Sequence, residues 1–202
     1  DANKYTFKWK PSIINFRQKL YKKVTHGLPK VNEHFTYYDF KPIKEKETYT
    51  TKTLRKIVNR LISIIDSEGI EVVYGKGKRK TEIQRLYDTF SGYLEKLEGY
   101  EQDLTIIGPN RNSYAKTDHD ATFMHMKEDH MRNAQLKPGY NVQIGVSNEY
   151  IMVIDAYQNG SDYYTFKPLL EKYNGMYEMY PKYPVADAGY GSYDNYSYCI
   201  DR

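Results

Sequence analysis

The sequence predicts a mixed α/β chain with a helical hairpin inserted ahead of its sheet-bearing half. Three observations carry this expectation. Apolar residues recur at three- and four-residue spacings over 54–65 and again over 83–97, as on one face of a helix. Residues 139–147, GYNVQIGVS, instead alternate strictly, the period of a half-buried strand. The change of period falls after Gly108-Pro109, a pair that breaks regular structure.

Residues 5–9, YTFKW, alternate aromatic and polar and read as a strand or its exit. Residues 11–26 read as a helix with Phe16, Leu20 and Val24 on one stripe, and 27–50, with Gly27, Pro29 and Pro42, as irregular chain. The segment TKTLRKIVNRLISIIDSEG is an amphipathic helix ended by Gly69. A basic linker follows. TEIQRLYDTFSGYLEKLEG then repeats the pattern through Ile83, Leu86, Tyr87, Phe90, Tyr93, Leu94 and Leu97. Two such stripes on a short link predict an antiparallel helical hairpin.

In the second half, Tyr140, Val142, Ile144 and Val146 share one strand face. Asn148-Glu149 makes a tight connection to a second apolar strand, YIMVIDAYQ, although it is not the favoured hairpin pair. A helix is expected over 162–174, with Ser161 or Asp162 as its cap and Pro168 as an irregularity. Tyr183 to Ala186 read as a short buried strand that delivers Asp187 to its carboxyl end. Gly189 and Gly191 then allow a sharp turn, and Ser192 caps a helix over Tyr193–Ile200. The order strand, strand, helix, strand, helix predicts one mixed sheet.

Composition narrows the function. The 202 residues are 40% hydrophobic and 28% charged, which suits a folded domain, and no apolar run approaches the ~20 residues of a membrane span. The opening DANKYTFKWKP lacks the apolar stretch of a signal peptide. The lone Cys199 excludes an internal disulfide and fits a reducing cytosol. A net charge of +4 permits nucleic-acid binding without requiring it. The 23 tyrosines suit half-buried surfaces and base stacking alike.

Several motifs invite chemistry. The run GKGKRK at 75–80 contains Lys76, Lys78, Arg79 and Lys80; it lacks the Gly-Lys-Ser/Thr ending of a phosphate loop, and meets either a DNA backbone or only solvent. Residues 117–131 hold Asp118, His119, Asp120, His125, Glu128, Asp129 and His130, yet their histidines lie five and six apart, which suits one helical face poorly. Phe123, Met126 and His130 read instead as a helical packing stripe. Asp155 reads as a polar residue ending its strand, and Asp162 as a cap. Trp9 and Tyr190 are aromatic candidates for stacking on bases or for packing. No nucleophile arrangement emerges: Cys199 has no histidine near it in sequence, and GYGS lacks the serine spacing of hydrolases. One carboxylate, Asp187, is too few for a catalytic pair of cations.

ANKYTFKWK at 2–10, RNSYAKTDHDATFMHMKEDHMRNAQLKPGYNVQI at 111–144 and YPVADAGYGSYDNY at 183–196 resemble bacterial insertion-sequence DDE transposases. The resemblance runs over essentially the whole chain and is most distinctive in 111–144. It implies an RNase H-like mixed sheet interrupted by a helical-hairpin insertion: the end of the first core strand region at 1–10, the insertion at 11–108, and part of the α/β core at 109–202. It implies two Mg²⁺ (or Mn²⁺) ions held by an Asp-Asp-Glu triad. One ion activates water or a 3′-hydroxyl and the other stabilises the leaving oxygen of a phosphodiester. Within that pattern Asp187 is the second Asp, a catalytic metal ligand. Double-stranded DNA, both transposon ends and target, is the implied partner, with a homodimer in the complete enzyme, a bacterial cytoplasmic setting and no membrane.

The family's first Asp lies just ahead of the ANKYTF stretch and its Glu beyond residue 202, so the chain is expected to be an internal fragment that does not cleave DNA alone. Lys76, Lys78, Arg79, Lys80 and Tyr190 are the candidate DNA contacts, with the lysines of the helical insertion gripping DNA or a second subunit. The alternative is a non-catalytic DNA-binding or interaction remnant of a transposase.

Overall fold

The computed structural model describes residues 7–75, 77–125 and 136–201. The chain divides into two compact units, one of Lys10–Thr105 and one of Asp1–Trp9 with Ile106–Arg202.

The first unit contains three long helices: α1 (Lys10–Tyr37), α2 (Thr51–Ser67) and α3 (Glu82–Ile107). Helix α1 runs eleven residues past the expected end at 26, through Gly27 and Pro29. Its apolar stripe continues, and Leu20, Val24, Leu28, Val31 and Phe35 are all buried. Burying Leu28, Val31 and Phe35 contributes about 1.5–3 kcal/mol each. Together they outweigh the roughly 3 kcal/mol that an internal proline costs. Gly27 is needed for space rather than flexibility, since a Cβ there would sit 3.1 Å from the Phe90 ring. Phe16, expected on the stripe, is half exposed.

The connection 38–50 runs back along α1. The Asn32 side chain brackets Ile43, donating to its carbonyl at 2.9 Å and accepting its N–H at 2.8 Å. Tyr49 is buried, and its hydroxyl lies 2.9 Å from Thr25 Oγ1. Helix α2 therefore starts beside the middle of α1 and runs parallel to it, with Arg60 stacked over the Phe35 ring at 5.2 Å. Thr50 caps α2 by accepting from the Thr53 N–H. Helix α3 runs antiparallel to both, joined by Arg55–Glu98 at 2.6 Å and His34–Glu82 at 3.9 Å. One apolar core links Leu54, Ile57, Leu61 and Ile64 of α2 with Phe90 and Leu97 of α3 and with the α1 stripe.

The second unit carries the strands β1 (Phe7–Trp9), β2 (Ser113–Ala115), β3 (Thr122–His125), β4 (Leu136–Gly139), β5 (Asn141–Ser147) and β6 (Tyr150–Tyr157). They form three two-stranded antiparallel sheets, β1–β2, β3–β4 and β5–β6, rather than the expected single mixed sheet. No parallel pair occurs among the described strands. Phe123 lies in β3 rather than on a helical stripe; Met126 and His130 fall outside the described residues. Its ring stacks on Phe7 at 4.4 Å, within a small core of Ala115, Ala121, Phe123, Phe7 and Leu136.

The β5–β6 hairpin turns through Asn148 and Glu149, both at positive φ (48° and 69°), as a primed two-residue turn requires. Gly145 sits at a register irregularity, where a Cβ would come within 2.7 Å of Val153 Cγ1. One face of the hairpin buries Gln143 and Val153. The expected stripe Tyr140, Val142, Ile144 and Val146 lies on the exposed side. Asp155 is inside β6 and not at its end.

A 3₁₀ turn (Asp162–Tyr164) precedes α4 (Phe166–Tyr177), so the expected helix over 162–174 begins later and ends later. Pro168 then falls in the first turn of α4, where a missing N–H removes no helical bond. Tyr183–Ala186 is not a strand. Tyr183 and Val185 are exposed, no strand pairs with them, and Pro184 has no N–H to give a ladder. Helix α5 (Tyr193–Ile200) starts at Ser192, whose side chain accepts from the Asn195 N–H as expected.

Candidate active site around Asp187

Asp187 occupies the N-cap of a single 3₁₀ turn, Ala188–Tyr190, rather than the end of a strand. Its Oδ1 accepts the Gly189 N–H at 2.8 Å, and the residue is exposed. The carboxylate is thus aimed by the backbone of the two residues that follow it. At Gly189 a Cβ would lie 2.9 Å from Asp187 Oδ1 and 3.6 Å from Asp162 Oδ2, so a side chain there would displace the Asp187 carboxylate from its bond to the backbone. Both carboxylates therefore converge on one point.

A network of side chains holds this turn in place of a strand ladder. The Tyr190 hydroxyl donates to Gln143 Oε1. Gln143 is buried, and its Nε2 donates to Asp162 Oδ1 at 3.0 Å and to Asn141 Oδ1 at 2.6 Å. Asn141 Nδ2 donates to the same Asp162 oxygen at 2.9 Å. Asn195, also buried, donates to the Tyr190 and Tyr163 carbonyls at 2.8 and 3.0 Å. Burial pushes the Tyr190 phenol above its ordinary range, reinforced by the nearby Asp162 and Asp187 carboxylates. It is a neutral hydrogen-bond donor at physiological pH. Its ring packs 5.9 Å from that of Phe166.

The expectations met different outcomes. Asp162 is not the expected helix cap: it opens the 3₁₀ turn, and its carboxylate gathers two amides from β5. Asn141 and Gln143 were missed because polar residues in an alternating strand read as its solvent face. Here the apolar face is the exposed one. The only usable signal was that Asn141 and Gln143 share one side of β5.

Lys78 and Arg79 are exposed, whereas Lys80 pairs with Asp88 at 2.6 Å and lies 5.9 Å over Tyr74; Lys76 lies outside the described residues. Trp9 is in β1, opposite Ser113. In 117–131, Asp118 accepts from the Tyr140 hydroxyl at 2.7 Å and from the Asp120 N–H at 3.1 Å, and the Tyr140 bond holds its carboxyl below the usual range. His119 packs edge-on to Tyr114 and Asp120 accepts from Gln158. His125 is exposed in β3, and Glu128, Asp129 and His130 fall outside the described residues.

Among the described residues no three acid, histidine or cysteine side chains form a cation-holding group. Asp187 offers one ligand and Asp162 Oδ1 is already occupied by two amides, so the donor set present does not make a two-ion cage. No helix in the described residues is long and apolar enough to cross a membrane.

Residues 111–202 match the family model described as Transposase DDE domain. The matched segment contains Asn141, Gln143, Asp162, Asp187 and Tyr190. No curated protein and no solved structure matches the chain.

Proposed function

We propose, from the match of residues 111–202 to the transposase DDE domain model, that the chain serves DNA transposition and that Asp187 is one of the carboxylates of its phosphodiester chemistry. The observation that carries this reading is the construction around Asp187. An exposed carboxylate sits on a turn held by polar contacts: the Gly189 N–H bonds Asp187 itself, the Tyr190 hydroxyl bonds Gln143, and the Tyr190 carbonyl accepts from Asn195. A side chain that only capped a turn would need none of this support. The residues are those of an RNase H-like core at 1–10 and 109–202, with 11–108 as its insertion.

The chemistry of the family needs divalent cations, Mg²⁺ or Mn²⁺, and further acids beside Asp187. The described residues bring one further acid near it, Asp162, whose Oδ1 is held by two amides, so Asp187 is one ligand of a site completed from elsewhere. In its own right the chain fixes the direction of that carboxylate and supplies a neutral phenol beside it. Duplex DNA is the substrate, and a second copy in the complete enzyme is part of the same proposal.

The test is transposition in cells by the complete reading frame bearing Asp187→Asn. Expected is a loss at least as large as the roughly 10–100-fold that removal of an outer-shell partner costs a metal site. Wild-type frequency in that variant overturns the assignment. A second reading, a non-catalytic DNA-binding protein, is favoured by the lack of a three-acid group among the described residues. It predicts DNA binding by the chain that is indifferent to Mg²⁺ and to Asp187.

A further inference from the structure

Charge is unevenly distributed over the helical unit. Helix α1 carries six Lys and Arg against one Glu, whereas α3 carries six Asp and Glu against two Lys and Arg. On α1 the cations are also ordered. Lys19, Lys22, Lys23, His26 and Lys30 are all exposed. With about 100° per residue they fall within an arc of about 100°, on the side of α1 away from the buried stripe of Leu20, Val24, Leu28 and Val31. Glu33, the one acid of α1, lies within the same arc, three residues beyond Lys30. Among the described residues Lys30 has a carboxylate near it, Glu82 at 4.0 Å, and both side chains of that pair are largely exposed. Such pairs contribute little and break readily.

We propose that this face of α1 is a docking surface for the phosphate backbone of duplex DNA. The proposal rests on the transposition reading for its substrate and goes beyond it in placing a contact on the helical unit. From Lys19 to Lys30 the helix rises about 16 Å. A duplex carries one charge per ~1.7 Å of its axis, so roughly ten phosphates lie within that length. Four lysines on one row, with long stems and mobile heads, match a line of phosphates without demanding any base sequence. The surface is therefore non-specific: it holds DNA and does not choose it. The basic linker at Lys78 and Arg79 is shorter and its third described cation, Lys80, is engaged by Asp88.

The experiment compares the full 202-residue chain with a variant carrying Lys19→Gln, Lys22→Gln, Lys23→Gln and Lys30→Gln. Gln matches Lys in helix propensity, so α1 is retained, and circular dichroism verifies this. A control variant carries Lys44→Gln, Lys46→Gln, Lys52→Gln and Lys56→Gln, the same loss of charge at exposed positions off the arc. Binding of a labelled random-sequence duplex is measured by fluorescence anisotropy from 50 to 200 mM KCl. Expected is a log–log salt slope shallower by about 0.9 per lysine, roughly 3 to 4 in all, with affinity down about tenfold or more at 100 mM. The control should keep most of the slope. Equal losses in both variants overturn the surface and leave only net charge. An unchanged slope in the α1 variant also overturns it, while leaving the transposition reading standing. A wild-type chain that binds no duplex overturns the surface, and the Asp187→Asn result in cells still decides the transposition reading by itself. A change in oligomeric state with unaltered DNA binding, measured by light scattering, assigns the row to the acidic α3 of a second copy instead and overturns the DNA assignment.

Discussion

The two units of this chain are held together by different means. In the helical unit nearly every turn of α1 and α2 contributes a fully buried aliphatic residue or phenylalanine to one continuous core. Two of its amide side chains do local work: the buried Gln84 brackets the backbone of Val73, accepting its N–H at 3.3 Å and donating to its carbonyl at 2.7 Å, as the half-buried Asn32 does for Ile43. In the sheet unit the apolar core is small, the strands come only in pairs, and the exposed face of the β5–β6 hairpin includes Val142, Ile144, Val146 and Ile154. There the buried amides Gln143 and Asn195 span long stretches of sequence and gather the residues around Asp187. Apolar volume stabilises the first unit. Directed polar contacts specify the second, as a site that must aim a carboxylate requires.

The largest expected effect breaks the helical side of this comparison. Phe90→Ala removes a fully buried ring that fills the space left by Gly27, and such truncations cost about 3–5 kcal/mol. The unfolding transition followed at 222 nm, a signal dominated by α1, α2 and α3, should move to markedly lower urea. A loss below 1 kcal/mol would mean that the ring's surroundings collapse to fill the gap and the core is not tightly packed. The next effect addresses the other unit. Gln143→Leu keeps volume but leaves the Tyr190 hydroxyl without its partner and Asp162 with only one of its two amides, at about 1–3 kcal/mol. Trp9, the only tryptophan, belongs to this unit and reports it by fluorescence. Gln143→Glu, which keeps an acceptor for Tyr190 but sets a charge against Asp162, should be at least as costly. If Gln143→Leu is neutral, the polar network does not specify this unit.

How far the sequence alone carried this picture differs between the units in the same way. Three- and four-residue periodicity located α2 and α3 because their stripes face a dry core. It failed at α1 only where Gly27 and Pro29 pointed to a break and tertiary burial outweighed them. Alternation located β5 and β6, and Asn148-Glu149 their turn, since each is a local pattern. What alternation does not reveal is which face is covered, and so Gln143 passed for a surface residue. The strand expected at Tyr183–Ala186 had the right apolar run and no neighbour to pair with, a non-local fact. Asp187 was legible as a residue of interest from its glycine-rich setting. Gly189, which aims it, is local, but Asp162, Gln143 and Asn141, which hold the turn, lie 25 to 46 positions away and left no mark at that distance.

A smaller effect sharpens the account of the hairpin. Glu149 holds φ 69°, where a side chain is strained by about 1 kcal/mol and glycine is not. Asn148 tolerates its own positive φ better, as asparagine does. Glu149→Gly should therefore stabilise the sheet unit by up to about 1 kcal/mol, against the usual penalty of adding a glycine, with the Trp9 transition moving to higher urea. A loss of stability instead would mean that the Glu149 side chain makes a compensating contact.

The smallest effect concerns charge on the same hairpin. Lys172 of α4 donates to Asp155 Oδ1 at 3.0 Å and to the Ile154 carbonyl at 2.9 Å. That bond holds the Asp155 carboxyl below its ordinary range. A depressed folded-state value means the unfolded chain binds more protons as pH falls below about 4, so the pair's contribution is present above that pH and is lost below it. Both side chains are substantially exposed, which limits the contribution to about 1 kcal/mol or less. Lys172→Met keeps the aliphatic stem and removes the charge. Its stability deficit relative to the wild-type chain should be present at pH 7 and shrink toward pH 3. A deficit that is constant over that range would assign the role of Lys172 to its bond with the Ile154 carbonyl, a contact that does not depend on the ionisation of Asp155. The polar specification of the sheet unit would then rest there on backbone capture rather than on charge.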